Sequence, residues 1–367
     1  MKAITAKRTF AGIAALGAAA LVLTGCAADT TEEAAPTEET TVVEEEMAPA
    51  LDFLACAVSD EGSWNDNSFN EAVYDGLLLA ESDLGVQIAD AESASAEAYA
   101  PNLQAMVDAG CDVTFAVGFN LVGDVNIAAA ANPDVSFVTV DGWSEGNGNL
   151  KPVGYKMHQS SYLAGYLAAA YSTTKVVGTS GGLQIDAVTD FMSGFYYGAK
   201  AYETETGTAV TVLGWDPVAA TGSFWGGFAP GDPVGKSIAA SQLEAGADVL
   251  FPVGGNQFGA GSEAIIESGV DAVMIGVDKD IALTSPEYAA YILTSAEKRM
   301  GAATFDIIED YAVNGNFSGD YYMGDLSNAG TDISPFYDFD SKISQEIKDR
   351  LAELKAGIID GSIDPLA

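Results

Sequence analysis

Apolar runs of strand length recur along the chain between stretches with helical spacing, and this alternation limits the folds open to it more than any other feature. The runs are "LDFLACAV" (51–58), "VQIAD" (86–90), "DVTFAVG" (112–118), "VSFVTVDG" (135–142), "KVVGTSGG" (175–182), "AVTVLGW" (209–215), "ADVLFPVGG" (247–255), "DAVMIGVD" (271–278) and "AAYILTS" (289–295). Between them lie segments such as "FNEAVYDGLLLAES", "YLAGYLAAAYS" and "PVGKSIAASQLEAG". Strands apolar from end to end and separated by helices belong to parallel sheets covered on both faces. Residues 51–367 exceed what one core of ordinary size organises, so the two series predict two doubly wound α/β lobes. Ligands of such sheets bind at the carboxyl ends of the strands. The unusual loops fall there: residues 59–70, 141–149, 215–233, 254–261 and 278–288.

The amino-terminal end carries an address. Residues 1–26 place Lys2, Lys7 and Arg8 before an apolar stretch that closes in "LTGC". That is the layout of a secretory signal, too short and wrongly flanked for a lasting membrane helix. The small residues before Cys26 resemble a lipobox, in which the cysteine is lipidated and becomes the first mature residue. Several acyl chains on one cysteine hold firmly where a single chain binds weakly. Residues 27–50, rich in Thr, Glu, Ala and Pro, have too little apolar surface to offset their ordering entropy and read as a disordered acidic tether. The expected location is the outer face of the cell membrane.

Charge narrows the partners. The chain has 53 Asp and Glu against 15 Lys and Arg, a net charge of −38. Such a field repels nucleic acid and anionic lipid surfaces. After Cys26 the only arginines are Arg299 and Arg350, so the guanidinium fork on which phosphate and carboxylate sites rely is scarce. A neutral or cationic ligand fits better. With one histidine, His158, and no cysteine cluster, no metal or cofactor is expected, and "DEGSWND" lacks the spacing of a calcium loop. Cys56 and Cys111 lie in apolar contexts. Secretion permits a disulfide, but two cysteines make no framework, and buried free thiols are the expected state.

Two motifs suggest catalysis or phosphate binding and fail on detail. "GTSGG" (178–182) fits a nucleophile elbow, but that hydrolase fold needs a histidine after the serine, and His158 precedes Ser180. "PGDPVGKS" (230–237) has Pro230 where a phosphate loop needs glycine, so Pro233 reads as a helix start. "GGNQFGAG" after a strand reads as a hydrogen-bonding turn against a neutral ligand. No catalytic residue is assigned. A hydrolase using two of Asp60, Asp66, Asp141 and Asp278 is the alternative from another class.

The stretches "DEGSWNDNSFNEAVYDGL", "NPDVSFVTVDG", "SYLAGYLAA", "VGTSGGLQIDAVTDFMSGFYYGAK", "GADVLFPVGG", "IGVDKD" and "TSAEKR", in this order, resemble the basic membrane protein family of bacterial lipoproteins, the nucleoside-binding components of ABC importers. The resemblance implies a type I periplasmic-binding-protein fold with hinged lobes, here expected as 51–156 plus 285–320 and 157–284 plus 321–367. It implies a purine or pyrimidine nucleoside ligand, with permease and ATPase subunits as partners of a monomer. Carried over by position, it puts Asp60, Phe69, Asn70, Asp141, Gly255, Asp278 and Lys298 at the ligand. Asp278 and Lys298 would grip ribose hydroxyls as acceptor and donor, and Phe69 would stack on the base. The chain departs from the family in "GWDPVAATGSFWGGFAPGD", where Trp215 is the expected second aromatic wall and Phe224, Trp225 and Phe228 compete for the role. A pentose or an organic cation is the alternative ligand.

Overall fold

From Leu54 onward the chain alternates strand and helix as its apolar runs predict. The structure, a computed structural model, describes residues 51–229 and 233–367, so the signal, Cys26 and the tether lie outside the described residues. The first lobe is built from β1 (Leu54–Ser59), α1 (Phe69–Leu84), β2 (Gln87–Ala91), α2 (Tyr99–Ala109), β3 (Val113–Val117), α3 (Val122–Ala131), β4 (Ser136–Val140) and β5 (Leu150–Tyr155). The second comprises α4 (Met157–Tyr171), β6 (Val176–Gly181), α5 (Asp186–Thr206), β7 (Thr211–Leu213), a small ribbon of β8 (Trp215–Asp216) and β9 (Thr221–Gly222), and α6 (Pro233–Glu244). It continues through β10 (Val249–Val253), α7 (Gln257–Ser268), β11 (Val273–Asp278), α8 (Ile281–Thr284) and β12 (Ile292–Lys298). Then α9 (Met300–Ala312) and β13 (Tyr322–Gly324) return to the first lobe, and β14 (Thr331–Ile333) and α10 (Gln345–Asp360) to the second.

The first sheet runs β13-β5-β4-β3-β1-β2, parallel throughout, and the second β14-β12-β11-β10-β6-β7, with β14 antiparallel to β12. Apart from the edge strands β13 and β14, the two orders are the same. Each reverses direction once, between β1 and β3 and between β6 and β10, and a crevice opens at the strand ends where this happens. Helices cover both faces of each sheet, so each lobe has two cores. Val73, Leu77 and Ile308 pack with Phe115 on one side of the first sheet, and Leu103, Val125 and Phe137 on the other. In the second lobe Leu163, Phe195 and Leu354 pack with Phe251, and Leu243 and Ile265 with Leu250.

Helices α4 and α5 touch backbone to backbone. A Cβ on Gly165 would lie 2.1 Å from the Phe195 carbonyl oxygen, and one on Gly198 would lie 2.0 Å from that of Tyr162. This contact fixes the first turns of α5, which carry Val188 and Phe191.

Two expectations need correction. The chain crosses between lobes at Lys156, at Arg299 and after Gly324, rather than near 285 and 320. The apolar run ending in Lys298 pairs in parallel with β11 and so belongs to the second sheet, whereas β13 pairs with β5 in the first. The cysteines are not free thiols: Cys56 and Cys111 form a disulfide with a Cα–Cα distance of 6.0 Å. Cys56 lies in β1 and Cys111 just ahead of β3, and these strands are neighbours although 55 residues separate the cysteines.

Candidate ligand-binding cleft

The loop after β1 is shaped by its own carboxylates. Asp66 Oδ1 accepts from the amides of Ser68 (2.9 Å) and Glu71 (3.1 Å), and its Oδ2 from that of Asn70 (3.0 Å). It thereby satisfies amide donors at the start of α1 that have no intrahelical partner. Asp60 Oδ1 accepts from the Gly62 amide at 3.0 Å and from Asn70 Nδ2 at 2.9 Å. Burial raises the Asp60 pKa from 3.8 to about 6, although the bonds from Gly62 and Asn70 favour its charge. The Asn70 amide group thus faces two carboxylates, and its Oδ1 is buried without a hydrogen-bond partner among the described residues. Trp64 anchors the loop from below. Its ring stacks on Tyr74, its Nε1 donates to Asp90 and its amide donates to Glu92.

Asp141 follows β4 and Asp278 ends β11, and both adopt positive φ, 58° and 70°. Left-handed backbone is uncommon for residues with a side chain, although Asp tolerates it better than most. Lys298, at the end of β12 and 3 % exposed, donates from Nζ to Asp141 Oδ2 at 2.6 Å. Its ammonium also lies 5.2 Å from the Phe69 ring centre, 5.1 Å from Phe191 and 5.7 Å from Tyr155. Asp278, 5 % exposed, accepts from Ser68 Oγ at 3.1 Å. Burial lifts its pKa to about 6; Lys298 opposes the rise and Asp141 adds to it.

These groups line one cleft between the lobes, together with Gly118, Phe119, Val188, Phe191 and Phe228. The cleft holds ≈ 630 Å³ not filled by protein atoms, counting its open side, of which ≈ 60 Å³ admits the centre of a water-sized sphere. The walls are close together, which suits a flat ligand. Of the residues expected at the ligand, Asp60, Phe69, Asn70, Asp141, Gly255, Asp278 and Lys298 are brought together here and Trp215 is not. Trp215 is buried beside the cleft wall, donating from Nε1 to Ser193 Oγ at 3.0 Å with its ring edge-on to Phe224. Phe228 lines the cleft instead, in space left by Gly182, where a Cβ would lie 2.3 Å from the ring. Phe191, in the second turn of α5, has the spacing of a core aromatic, and the only sequence signal of its role is that α5 follows the loop at the carboxyl end of β6.

The lobes meet along one edge of this cleft. Ser68 Oγ reaches the Val277 carbonyl at 3.2 Å, Asn256 Nδ2 the Asp66 carbonyl at 3.0 Å and Thr284 Oγ1 the Asn67 carbonyl at 3.1 Å. Lys279 Nζ is held by Glu71 at 2.8 Å and Asp75 at 2.6 Å.

Two doubly wound lobes, crossed three times by the chain and closing on a polar, aromatic-walled cleft, define a solute-binding protein with the type I periplasmic-binding-protein fold. The chain belongs to the family described as ABC transporter substrate-binding protein PnrA-like, whose model matches residues 53–363. It is 31 % identical over 334 residues to the ABC transporter nucleoside-binding protein BmpA of Lactococcus lactis, covering 85 % of this chain and 88 % of that one. It is 25 % identical to basic membrane protein A of Borreliella burgdorferi, covering 83 % of this chain and 85 % of the relative. The ABC transporter solute-binding protein of Aeropyrum pernix superposes with a TM-score of 0.75 at 23 % identity, over 85 % of this chain and 92 % of that one, a likeness of fold. The family serves transport and not catalysis, and its members work outside the cytoplasm. No helix among the described residues is long and apolar enough to cross a membrane.

Proposed function

We propose that this protein captures nucleosides, with purine nucleosides preferred, and delivers them to the permease and ATPase of an ABC importer as a monomer tethered through a lipid on Cys26. The observation that carries the reading is the union, in one narrow cleft, of two polar ends and aromatic walls. At one end, Asp278 offers a carboxylate to vicinal hydroxyls and Lys298 keeps N–H groups beyond the one given to Asp141. At the other, Asn70 Oδ1 and the Asp60 carboxylate offer acceptors to N–H groups on a base edge. Phe69, Phe191 and Phe228 line the same cleft, the first two within 5.2 Å of the Lys298 ammonium, and stacking on such rings contributes ~1–3 kcal/mol per base. A purine presents more ring to those faces than a pyrimidine. The Cys56–Cys111 disulfide agrees with an oxidising, extracytoplasmic compartment. The name of the Lactococcus relative supports the ligand class.

The test is a thermal-shift and calorimetric screen of purified protein against nucleosides, free bases, pentoses and polyamines. Saturable one-to-one binding confined to nucleosides is expected. Tight binding of a pentose or a polyamine, or release of free base beyond stoichiometry from inosine or adenosine, would replace the reading. Palmitate labelling that is lost in Cys26→Ala tests the anchor.

A further inference from the structure

The ligand cleft opens into a second cavity of ≈ 780 Å³, with which it shares Phe119, Asp141, Ile185 and Ala187. Measured as the space open to the centre of a water-sized sphere, it compares with ≈ 60 Å³ in the cleft and lies within the ~300–1,000 Å³ of small-ligand sites. None of its lining residues belongs to the 66–75 and 277–284 seam along which the lobes touch. The cavity lies beside two of the places where the chain crosses between lobes, which contribute Tyr155, Lys156 and Met323 to its lining.

Its lining is built rather than incidental. Trp143 is 49 % exposed, yet the loop that carries it is braced. The buried Asn126 donates from Nδ2 to the Trp143 carbonyl at 2.9 Å, and its Oδ1 accepts from the Glu145 amide at 2.7 Å and from Asn147 Nδ2 at 3.1 Å. The indole leans on Phe119 with ring centres 5.7 Å apart, which leaves a large apolar face toward solvent on a fixed backbone. An aromatic face fixed in advance loses little conformational entropy when a ligand stacks on it. Tyr321, 52 % exposed, borders the same space from the same lobe.

The second lobe supplies polar groups. Asp190 holds His158 Nδ1 at 2.8 Å, and Nε2 has no partner among the described residues. Ser193 Oγ accepts from Trp215 and keeps its own proton to donate. Asp141, Asp186 and Asp190 border the cavity against one lysine, Lys156, whose ammonium is taken by Asp325 at 3.0 Å. Such a lining disfavours an anion.

We propose that this cavity is an extension subsite, in which a flat, neutral or cationic substituent carried by the ligand stacks on Trp143. The inference rests on the nucleoside reading of the adjoining cleft and widens its ligand class to substituted nucleosides. The junction passes Phe119, next to Gly118 and the Asp60 end, and Asp141, at the Lys298 end. A substituent on the base and one on the sugar 5′ carbon can therefore both be tried.

Calorimetry on the full mature chain would compare adenosine, N6-benzyladenosine and 5′-S-phenyl-5′-thioadenosine, for wild type, Trp143→Ala and Trp143→Phe. At least one substituted nucleoside should bind within tenfold of adenosine or tighter. Trp143→Ala should weaken that ligand tenfold or more and adenosine less than threefold, and Trp143→Phe should restore most of the loss. Binding of adenosine with both substituted ligands more than tenfold weaker overturns the extension subsite alone. So does a Trp143→Ala effect that is equal for parent and substituted ligands. Failure of every nucleoside to bind overturns both the subsite and the nucleoside reading.

Discussion

Lys298 and Asp141 form a buried ion pair across the junction of the lobes, Nζ to Oδ2 at 2.6 Å, with side-chain exposures of 3 % and 9 %. The lysine ends a strand of the second sheet and the aspartate follows a strand of the first. The pair therefore ties the lobes together at the polar end of the cleft.

Removing one member of a buried pair strands the other, at ~3–5 kcal/mol. Lys298→Met should lower stability by about that much in denaturant melts at pH 7. Adding Asp141→Asn should recover a large part of the loss. A single-variant loss under about 1 kcal/mol, typical of solvated pairs, would show that water reaches the site.

In the proposed complex, Asp278 is the group that reads ribose. A hydrogen bond to a charged acceptor contributes ~1.5–3 kcal/mol, so Asp278→Ala should weaken nucleoside binding by roughly tenfold to a hundredfold or more. Discrimination between ribonucleosides and 2′-deoxynucleosides should flatten with it. Asp280→Ala should do less, since one Asp280 oxygen is occupied by the Tyr337 hydroxyl. Wild-type affinity in Asp278→Ala would remove the sugar site from this position.

Asp60 and Asp278 make apo stability depend on pH in a stated direction. Each has a folded pKa of about 6, above the ordinary aspartate value of 3.8. The native state then holds more protons than the unfolded state between those values. The stability from each group is complete below the lower value and is lost as pH rises through about 6. The loss is on the order of 2–3 kcal/mol per group at most. In melts, Asp60→Asn/Asp278→Asn should exceed wild type at pH ~7.5, with the gap closing by pH ~5; parallel curves would contradict the assignment. Nucleoside affinity should move oppositely, falling below pH ~6 as the carboxylates lose acceptor character.

The acidic body and scarce arginines favour a neutral or cationic ligand over an anion. Calorimetry should show nucleosides preferred over their 5′-monophosphates by at least tenfold, ~1.4 kcal/mol. Equal or better affinity for a monophosphate would falsify the neutral-or-cationic assignment.

The disulfide closes a loop of 55 residues. Loop-closure entropy for that length is worth about 4 kcal/mol. Cys56→Ser/Cys111→Ser should lower Tm by roughly 5 °C in a chain of this size. An unchanged Tm would mean that the reduced, unfolded chain is already constrained there.

Strand positions were readable because fully apolar runs bounded by glycine and Asp have few other uses. Asp141 and Asp278 stood out as charges at the ends of such runs. Partnership was not readable. Nothing in the linear pattern marks the direct bond between Lys298 and Asp141, because only the folded lobes bring β12 beside the residue that follows β4. The same gap hid the disulfide, since the order of strands in a sheet is invisible in a linear pattern. The loop after β7 defeated the choice among aromatics for a different reason: Trp215, Trp225 and Phe228 have like composition and neighbourhood, and the room beside Gly182 and Gly254 decides which ring goes where.

The positive φ angles at Asp141 and Asp278 set function against durability. Glycine would adopt either conformation without the cost of a Cβ, ~1–2 kcal/mol for most residues. A laboratory lineage propagated for heat tolerance alone should therefore drift toward glycine at position 278, whereas at 141 the cost of stranding Lys298 outweighs that gain. It would become sturdier as it forgot its ligand.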